Sequence, residues 1–220
     1  MQRLASSRVA IFGLGGVGSW ACEALARCGV GHFCLVDGDV VEKTNLNRQL
    51  IALHSTLGKP KVKVMAQRIA DINPSATVEA NQLFFEESNA DRISLRDMDY
   101  IVDAIDTVSS KILLISLASE AGVPILSCMG TGNRVEADSF RIGRIEQTSG
   151  CPLARVMRRE LRLRGIKGVR VLYSPQPPHM TSQNGASPAS ISFVPSTAGL
   201  KIAGEVIRQL IGKDETHDDL

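Results

Sequence analysis

The residues with the clearest chemical meaning form a glycine-rich bend directly after an apolar run. The run is Arg8 to Phe12, and Gly13, Gly15 and Gly18 then satisfy the pattern G-x-G-x-x-G. Glycines at this spacing let backbone amides and a helix N-terminus approach a phosphate group closely. A side chain at Gly15 would hold the phosphate away, and one at Gly18 would hold the helix off the sheet. The bend therefore predicts a nucleotide site.

An acidic residue follows at the spacing that such a site requires. Asp37 lies 19 residues after Gly18, at the end of the next apolar run, His32 to Val36. A carboxylate in this position can accept hydrogen bonds from ribose hydroxyls. The glycines alone would also suit a tight strand-to-helix turn without a ligand. The acid makes a nucleotide the better interpretation, but it does not distinguish a nicotinamide dinucleotide from a triphosphate.

Polar groups after the second predicted strand favour a triphosphate. Asn45 supplies an amide, Arg48 can fork onto phosphate oxygens, and Lys61 can place a point charge on them. Asp106 follows the fourth predicted strand, where open α/β sheets place ligands, and can hold Mg²⁺ together with phosphates and water. Adenylation needs such groups because pyrophosphate leaves with developing negative charge. A dehydrogenase has little use for them.

Each of these residues also has an ordinary structural interpretation. Lys61 could be a solvated residue at the start of a helix, and Arg48 could be a surface cation. Asp106 could cap the following helix. Asp39 lies beside a glycine, where turn carboxylates are common. The sequence leaves these alternatives open.

The elements that must position these residues alternate between strand and helix. This order predicts an α/β fold with a Rossmann-like, doubly wound, mostly parallel sheet and antiparallel strands in the C-terminal part. The predicted strands span 8–13, 32–37, 78–80, 100–102, 124–129 and 169–173, with an antiparallel strand around 140–145. The predicted helices span 16–28, 60–72, 109–121, 151–162 and 196–211.

The chain is long enough for one domain with a substantial core. We expect a single domain over 1–212, with a nucleotide-binding half over 1–130 and a substrate or dimer half over 131–212. The last predicted helix is apolar on most faces and suits burial or an interface. Residues 174–190 contain four prolines without periodicity and predict a mobile loop, and the polar tail 213–220 predicts disorder.

Composition excludes several classes of protein. The 220 residues are 44% hydrophobic and 22% charged, which is ordinary for a soluble globular protein. Residues 1–7 do not form a signal peptide, and no apolar run is long enough to span a membrane. The five cysteines are odd in number and include no C-x-x-C pair, which disfavours both disulfides and a cysteine-rich zinc site. We therefore expect a cytoplasmic protein.

A basic helix after residue 150 suggests an RNA partner. Its arginines recur at i, i+3, i+4 and i+7 and share one face: Arg155, Arg158, Arg159 and Arg162. Leu153, Val156, Met157 and Leu161 are predicted on the opposite, apolar face. Residues 155–170 hold seven basic residues and one acid, a local net charge of +6. RNA phosphates would offset this repulsion, with salt-dependent binding, but a solvated face is the common alternative.

Several motifs together carry a family resemblance. Gly-x-Gly-Gly-x-Gly, Asp-x-Asp, Asn-x-x-Arg-Gln, Gly-x-Pro-Lys and Asp-x-x-Asp occur in this order. They resemble the ubiquitin-activating-enzyme superfamily of ATP-dependent adenylyltransferases, over roughly 8–212. The segments 151–158 and 192–195 resemble its branch that acts on threonylcarbamoyladenosine in tRNA, and the activators of sulfur carrier proteins do not share them.

The resemblance implies a site and a reaction. ATP would lie on Gly13, Gly15, Gly16 and Gly18, with its ribose on Asp37 and Asp39 nearby. Asn45, Arg48 and Lys61 would hold the phosphates, and Asp106 would bind Mg²⁺. The substrate carboxylate would attack the α-phosphate, and the acyl-adenylate would cyclise with loss of AMP. Arg48, Lys61 and Asp106 would be the catalytic residues, and the partners would be the tRNA, a second copy of the chain and a sulfur-transfer protein.

One departure from the family, the role of one cysteine and two other functions stay open on the sequence. Relatives carry basic residues before the first strand, and here Arg3 and Arg8 are nearly all of them, so that role is reduced or the start is truncated. Cys151 starts a helix whose dipole could lower its thiol pKa, although a free, partly buried cysteine is the ordinary interpretation. The other functions are adenylation of a ubiquitin-like sulfur carrier, and a nicotinamide-dependent or non-catalytic nucleotide-binding protein.

Overall fold

A computed structural model describes residues 2–179 and 189–212. It contains seven strands and six α-helices in these ranges. The strands are β1 (Arg8–Phe12), β2 (His32–Val36), β3 (Thr77–Asn81), β4 (Tyr100–Asp103), β5 (Ile125–Cys128), β6 (Arg141–Arg144) and β7 (Arg170–Tyr173). The helices are α1 (Gln2–Ser6), α2 (Gly18–Arg27), α3 (Lys61–Ile72), α4 (Val108–Ala121), α5 (Pro152–Leu163) and α6 (Phe193–Ile211).

The strands form one sheet in the order β3-β2-β1-β4-β5-β7-β6. All neighbouring pairs are parallel except β6 and β7, which are antiparallel. The predicted fold class is therefore confirmed, including the antiparallel strands in the C-terminal part. Strands β6 and β7, which follow residue 130, belong to the same sheet as the strands before it. The division into a nucleotide-binding half and a substrate or dimer half at residue 130 stays a prediction.

The side chains of the central strands alternate between two cores. Val9 and Ile11 of β1 pack in a cluster with α2, α3 and α6, whereas Ala10 and Phe12 pack in a second cluster with α4. A third cluster joins α5 to β7 and to Ile115 of α4. The sheet is therefore covered on both faces, as its apolar strands require. No helix among the described residues is long and apolar enough to cross a membrane.

The structure differs from the sequence prediction at the element ends. Helix α1 was not predicted, because five residues give too little periodicity, and Leu4 alone in it is buried. Helix α6 begins at Phe193, three residues earlier than predicted. The predicted tail 213–220 and the part 180–188 of the predicted loop lie outside the described residues. The described ends of that loop are both bonded to Asn133, which accepts from the N–H groups of His179 and Ala189, at 2.7 Å each.

Candidate functional site

A cavity of about 1050 Å³ lies at the carboxyl ends of the central strands. It spans the position between β1 and β4 where the strand order reverses, which is where open α/β sheets bind ligands. Its size suits a small-molecule ligand. Nine of the predicted nucleotide-site residues line it: Gly13, Gly15, Gly16, Asp37, Asp39, Asn45, Arg48, Lys61 and Asp106.

The glycine turn forms one wall of the cavity and leaves no room for side chains at its ends. Gly13 has a φ of +87°, and a Cβ there would lie 2.6 Å from the carbonyl oxygen of Ala104. A Cβ at Gly18 would lie 1.8 Å from the carbonyl oxygen of Gly13, so this residue sets the approach of α2 without lining the cavity. At Gly15 the nearest atom is the Gln49 amide nitrogen, 3.8 Å away. A side chain at Gly15 would therefore occupy cavity space.

Asp37 is bound to the glycine turn by its own carboxylate. One oxygen accepts a hydrogen bond from the Leu14 N–H at 2.6 Å, and the other accepts from the Asp39 N–H at 2.8 Å. Burial raises the pKa of Asp37, and the nearby Lys61 charge and these two N–H groups oppose the rise. Each oxygen keeps a free lone pair, so both can still accept from hydroxyl groups in the cavity.

Lys61 is the first residue of α3 and is almost completely buried. Its side chain is 5% exposed, and its ammonium lies 2.8 Å from Asp39 Oδ2. The interpretation of Lys61 as a solvated residue is therefore wrong. Asp39 is half exposed and faces the same cavity, so the pair places a cation beside the glycine turn and holds it there.

Arg48 and Asn45 lie in the turn between β2 and α3. The Arg48 guanidinium donates to the Thr44 carbonyl oxygen and to Asn47 Oδ1, at 2.9 Å each. Arg48 is half-buried, so it is not a free surface cation. Asn45 is buried, and its Oδ1 accepts from the Glu42 N–H at 3.1 Å. Asn45 therefore stabilises the turn that presents Arg48 to the cavity.

Asp106 is exposed at the edge of the cavity. The cap residue of α4 is Thr107, and no side chain caps that helix, so the interpretation of Asp106 as a helix cap is wrong. Among the described residues, no three His, Cys, Asp or Glu side chains converge as metal ligands. A single carboxylate fits Mg²⁺, which takes most of its ligands from phosphates and water, and does not fit a metal held by protein alone.

Sequence reasoning missed a buried polar cluster directly beneath the cavity. Asp103, Lys111 and Ser127 are all fully buried. Lys111 Nζ lies 2.9 Å from Asp103 Oδ2, and the Ser127 hydroxyl donates to the same oxygen at 2.5 Å. Asp103 was visible in the Asp-x-x-Asp motif, but a lysine within an apolar helix gave no signal of where its ammonium lies.

Two residues that line the cavity, and one that holds a neighbouring loop, had no role assigned from the sequence. Phe84 is 62% exposed and stands in the cavity wall, against Gly38. The buried Gln49 also lines the cavity, and its Oε1 has no hydrogen-bond partner among the described residues. Arg134 is buried and donates to the carbonyl oxygens of Gly130 and Gln176, which fixes the loop after β5. An unpaired amide and an exposed aromatic ring in a cavity are typical of ligand contacts.

The four arginines of α5 do not have equal surroundings. Arg158 donates to the Thr148 carbonyl oxygen at 2.8 Å and to its hydroxyl at 2.7 Å, and Arg159 pairs with Glu160 at 2.8 Å. Arg155 and Arg162 are exposed, and neither is paired with another described residue. The predicted basic face therefore exists, but two of its members are held by protein groups.

The apolar face of α5 is narrower than predicted. Ala154, Met157 and Leu161 are buried, whereas Val156 is 40% exposed. Val156, which was predicted on the apolar face, therefore lies outside the buried stripe along which α5 packs against the rest of the protein. Cys151 is buried in the same cluster as Met157, directly before α5.

The strand order and a glycine-turn cavity at the reversal point define a Rossmann-like nucleotide-binding protein. The basic groups around that cavity narrow the class further. The chain belongs to the ThiF family, whose model matches residues 1–219.

Several relatives in this family match over nearly the whole chain. The tRNA threonylcarbamoyladenosine dehydratase of Bacillus subtilis is 41% identical, over 96% of this chain and 89% of the relative. The crystal structure of the E. coli enzyme TcdA with AMP has a TM-score of 0.89 at 31% identity and covers 96% of this chain and 89% of its own. TcdA with ATP has a TM-score of 0.87 at 30% identity, with 96% and 88% covered.

A relative with a different activity in its name matches over less of the chain. The SAMP-activating enzyme E1 of Haloferax volcanii is 36% identical over 124 residues, which is 56% of this chain and 46% of the relative.

Proposed function

We propose that this protein is an ATP-dependent dehydratase that cyclises threonylcarbamoyladenosine in tRNA through an adenylated intermediate. The observation that carries this proposal is the placement of Arg48, Lys61 and Asp106 around one cavity beside the glycine turn. The match to the Bacillus subtilis dehydratase, over 89% of that protein, supports the particular substrate.

Different residues of the cavity contact different parts of the nucleotide. The turn Gly13–Gly18 offers backbone N–H groups to phosphate, and Asp37 accepts hydrogen bonds from the ribose hydroxyls. Arg48 and Lys61 hold phosphate oxygens, with Asn45 beneath Arg48 and Asp39 beside Lys61. Lys61 is well suited to this role because its ammonium is held in place before any ligand arrives.

The reaction places negative charge where the cations lie. The carboxylate of the substrate attacks the α-phosphate, the bond to pyrophosphate breaks, and Arg48 and Lys61 stabilise the charge on the leaving oxygens. Asp106 would hold Mg²⁺ together with the phosphates, and the bound ion would neutralise phosphate charge. Ring closure of the acyl-adenylate then releases AMP. The nucleophiles belong to the substrate, so the buried Cys151 is not needed as one.

We assign tRNA contacts to α5. Its first turn reaches the cavity, because Leu153 lines it, whereas none of its four arginines does. The exposed Arg155 and Arg162 are the members best able to pair with phosphates, whereas Arg158 is engaged with Thr148. Binding of this kind weakens with salt, because phosphate neutralisation releases counterions.

Two further assignments are part of the proposal. Phe193 and Leu200 are large, exposed apolar residues on α6, which supports a homodimer through this helix. All five cysteines are free, which supports a location in the reducing cytoplasm. A sulfur-transfer partner stays a prediction from the family resemblance.

A second candidate function is adenylation of a ubiquitin-like sulfur carrier. The similarity to the SAMP-activating enzyme favours it. The limited share of the chain in that match disfavours it, as does the lack of a metal-binding cysteine cluster in the described residues.

The test combines a binding measurement and a product measurement. In a thermal-shift experiment, ATP with Mg²⁺ should stabilise the protein and NAD(P) should not. Incubation with ATP and tRNA bearing threonylcarbamoyladenosine should yield AMP and a modified nucleoside lighter by one water. Stabilisation by the dinucleotide alone would exclude both adenylation functions. AMP release that requires a carrier-protein tail instead of tRNA would establish the second candidate.

A further inference from the structure

Three fully buried polar side chains lie where β4 and β5 end. Asp103 is the last residue of β4, and Ser127 is its direct partner on β5. Lys111 is the fourth residue of α4, and its ammonium reaches Asp103 Oδ2 at 2.9 Å. Asp103, Lys111 and Ser127 form what we call the buried triad, and none of them lines the cavity.

The buried triad acts on the backbone of a single residue, Ile105. Asp103 Oδ1 accepts from the Ile105 N–H at 3.1 Å, and Lys111 Nζ donates to the Ile105 carbonyl oxygen at 3.1 Å. The N–H and the carbonyl group of Ile105 are therefore both held by side chains of the buried triad.

Ile105 connects two parts of the candidate site. Ala104, before it, has its carbonyl oxygen against the glycine turn, where a Cβ on Gly13 would lie 2.6 Å away. Asp106, after it, lines the cavity. Because Ile105 lies between them, its orientation decides which way the Asp106 carboxylate is presented.

Stability alone does not explain a charged pair in this position. Burial removes both charges from water, and an apolar pair of similar volume often serves as well or better. An apolar pair could not hold the N–H and the carbonyl of Ile105. Holding these backbone groups is what the charges add here.

We propose that Asp103, Lys111 and Ser127 are positioning residues that orient Asp106 toward the Mg²⁺-bound phosphates. This inference rests on the proposed function for the identity of the ligand and for the assignment of Mg²⁺ to Asp106. It predicts a specific defect: when the buried triad is broken, the site loses Mg²⁺-dependent nucleotide affinity and keeps its affinity for the nucleoside part. Partners behind a metal ligand characteristically affect metal affinity by about 10–100-fold.

The experiment measures equilibrium binding and needs no turnover. Calorimetry gives the Kd of AMP without Mg²⁺ and the Kd of a non-cleavable ATP analogue with and without Mg²⁺. In Lys111→Met we expect the gain in analogue affinity on adding Mg²⁺ to fall by about tenfold. The AMP Kd should stay within about twofold, because Asp37 and the glycine turn are unchanged.

Glu23→Gln is the matched control. Glu23 is a buried carboxylate on α2 that pairs with Arg27 and Arg68 and does not line the cavity. This variant should lose stability and keep the wild-type effect of Mg²⁺. An equal change in both variants would reduce the triad to a structural role and overturn the inference, as would an unchanged Mg²⁺ effect in Lys111→Met.

A milder variant covers the case in which Lys111→Met does not fold. Ser127→Ala removes one hydrogen bond to Asp103 and keeps both charges, so it should show a smaller loss of the Mg²⁺ effect in the same direction. An unchanged Mg²⁺ effect in Ser127→Ala would then decide against the inference. A wild-type protein that binds neither AMP nor the analogue would contradict the proposed function itself, so the two failures are distinguishable.

Discussion

Two groups of charged residues in this protein have nearly the same ion-pair distances and very different surroundings. The Asp103–Lys111 pair is 2.9 Å long, and neither side chain is exposed. On α5, Glu160 lies 2.8 Å from Arg159 and 3.0 Å from Arg164, and the two arginine side chains are 69% and 44% exposed. Water and salt screen the second group and do not reach the first.

The role of an ion pair therefore depends on its environment. The buried pair holds a loop in one geometry, because breaking it leaves an uncompensated charge in the interior. The exposed cluster can exchange partners at little cost, which suits a surface that binds phosphates. The arginines lower the pKa of Glu160 by hydrogen bonding, so the carboxylate stays charged.

The largest effect is expected from breaking the buried pair. Lys111→Met leaves Asp103 charged and unpaired, so the free energy of unfolding should fall by about 3–5 kcal/mol. Urea denaturation measures this loss. The double variant Lys111→Met/Asp103→Leu removes both charges and should recover most of it. If Lys111→Met is as stable as wild type, the buried pair contributes as little to the free energy of unfolding as the exposed ion pairs of Glu160.

Lys61 is a buried cation like Lys111, but unlike Lys111 it lines the cavity. Lys61→Ala and Arg48→Ala should each lower AMP formation by about 10²–10³-fold, because each removes a cation from the leaving phosphates. Circular dichroism should show an intact fold. Lys63→Ala, an exposed lysine on the same helix, is the control and should keep wild-type turnover. Wild-type rates in either cavity variant would remove that residue from the site.

Nucleotide binding should depend on pH through Asp37. Burial raises its pKa, so the carboxylate becomes protonated at a higher pH than an exposed aspartate when the pH falls. Protonation removes a charged acceptor for ribose hydroxyls, and AMP affinity should then fall by about tenfold. Titrating the AMP Kd from pH 8 to pH 4 measures this. Asp37→Asn should bind weakly at all these pH values, and a wild-type profile in this variant would contradict the assignment.

The exposed arginines should determine the salt dependence of tRNA binding. Arg155→Ala/Arg162→Ala removes two phosphate partners, so the slope of log K against log salt should become shallower by about 1.4. Filter binding at several salt concentrations measures the slope. Arg158→Ala should lower stability more than it changes the slope, because Arg158 is bonded to Thr148. Equal slopes in all three proteins would make this face merely solvated.

The smallest effect is expected from Glu160→Gln. The carboxylate is exposed to screening, so its loss should leave the denaturation midpoint essentially unchanged. It should also release Arg159 and Arg164 and make tRNA binding slightly tighter and more salt-dependent. Weaker tRNA binding in this variant would indicate that Glu160 orders the arginines for the RNA.

Most of the fold and the position of the cavity were predictable from local sequence signals. The strand-helix alternation, the turn at Gly13–Gly18 and the end of α3 at Ile72 depend on nearest neighbours and backbone preferences. Asp37, Lys61 and Asp106 were placed together because the carboxyl ends of parallel strands meet at one edge of the sheet. The presence of helix α1 and the exposure of Val156 were not predictable. Both depend on which other surfaces of the protein pack against these residues.

Local sequence is enough to identify a glycine turn of the phosphate-binding pattern, followed by polar groups in the order that is typical of an adenylating site. How those groups are held depends on the packing of the whole domain. Lys61 forms an ion pair with Asp39, and Arg158 donates hydrogen bonds to Thr148. Asp103 pairs with Lys111 and accepts a hydrogen bond from Ser127. Periodicity indicates which face of a helix or strand is apolar. Whether a buried charged side chain is paired depends on a partner from another helix, strand or loop. That partner is known only once the sheet and helices are packed together.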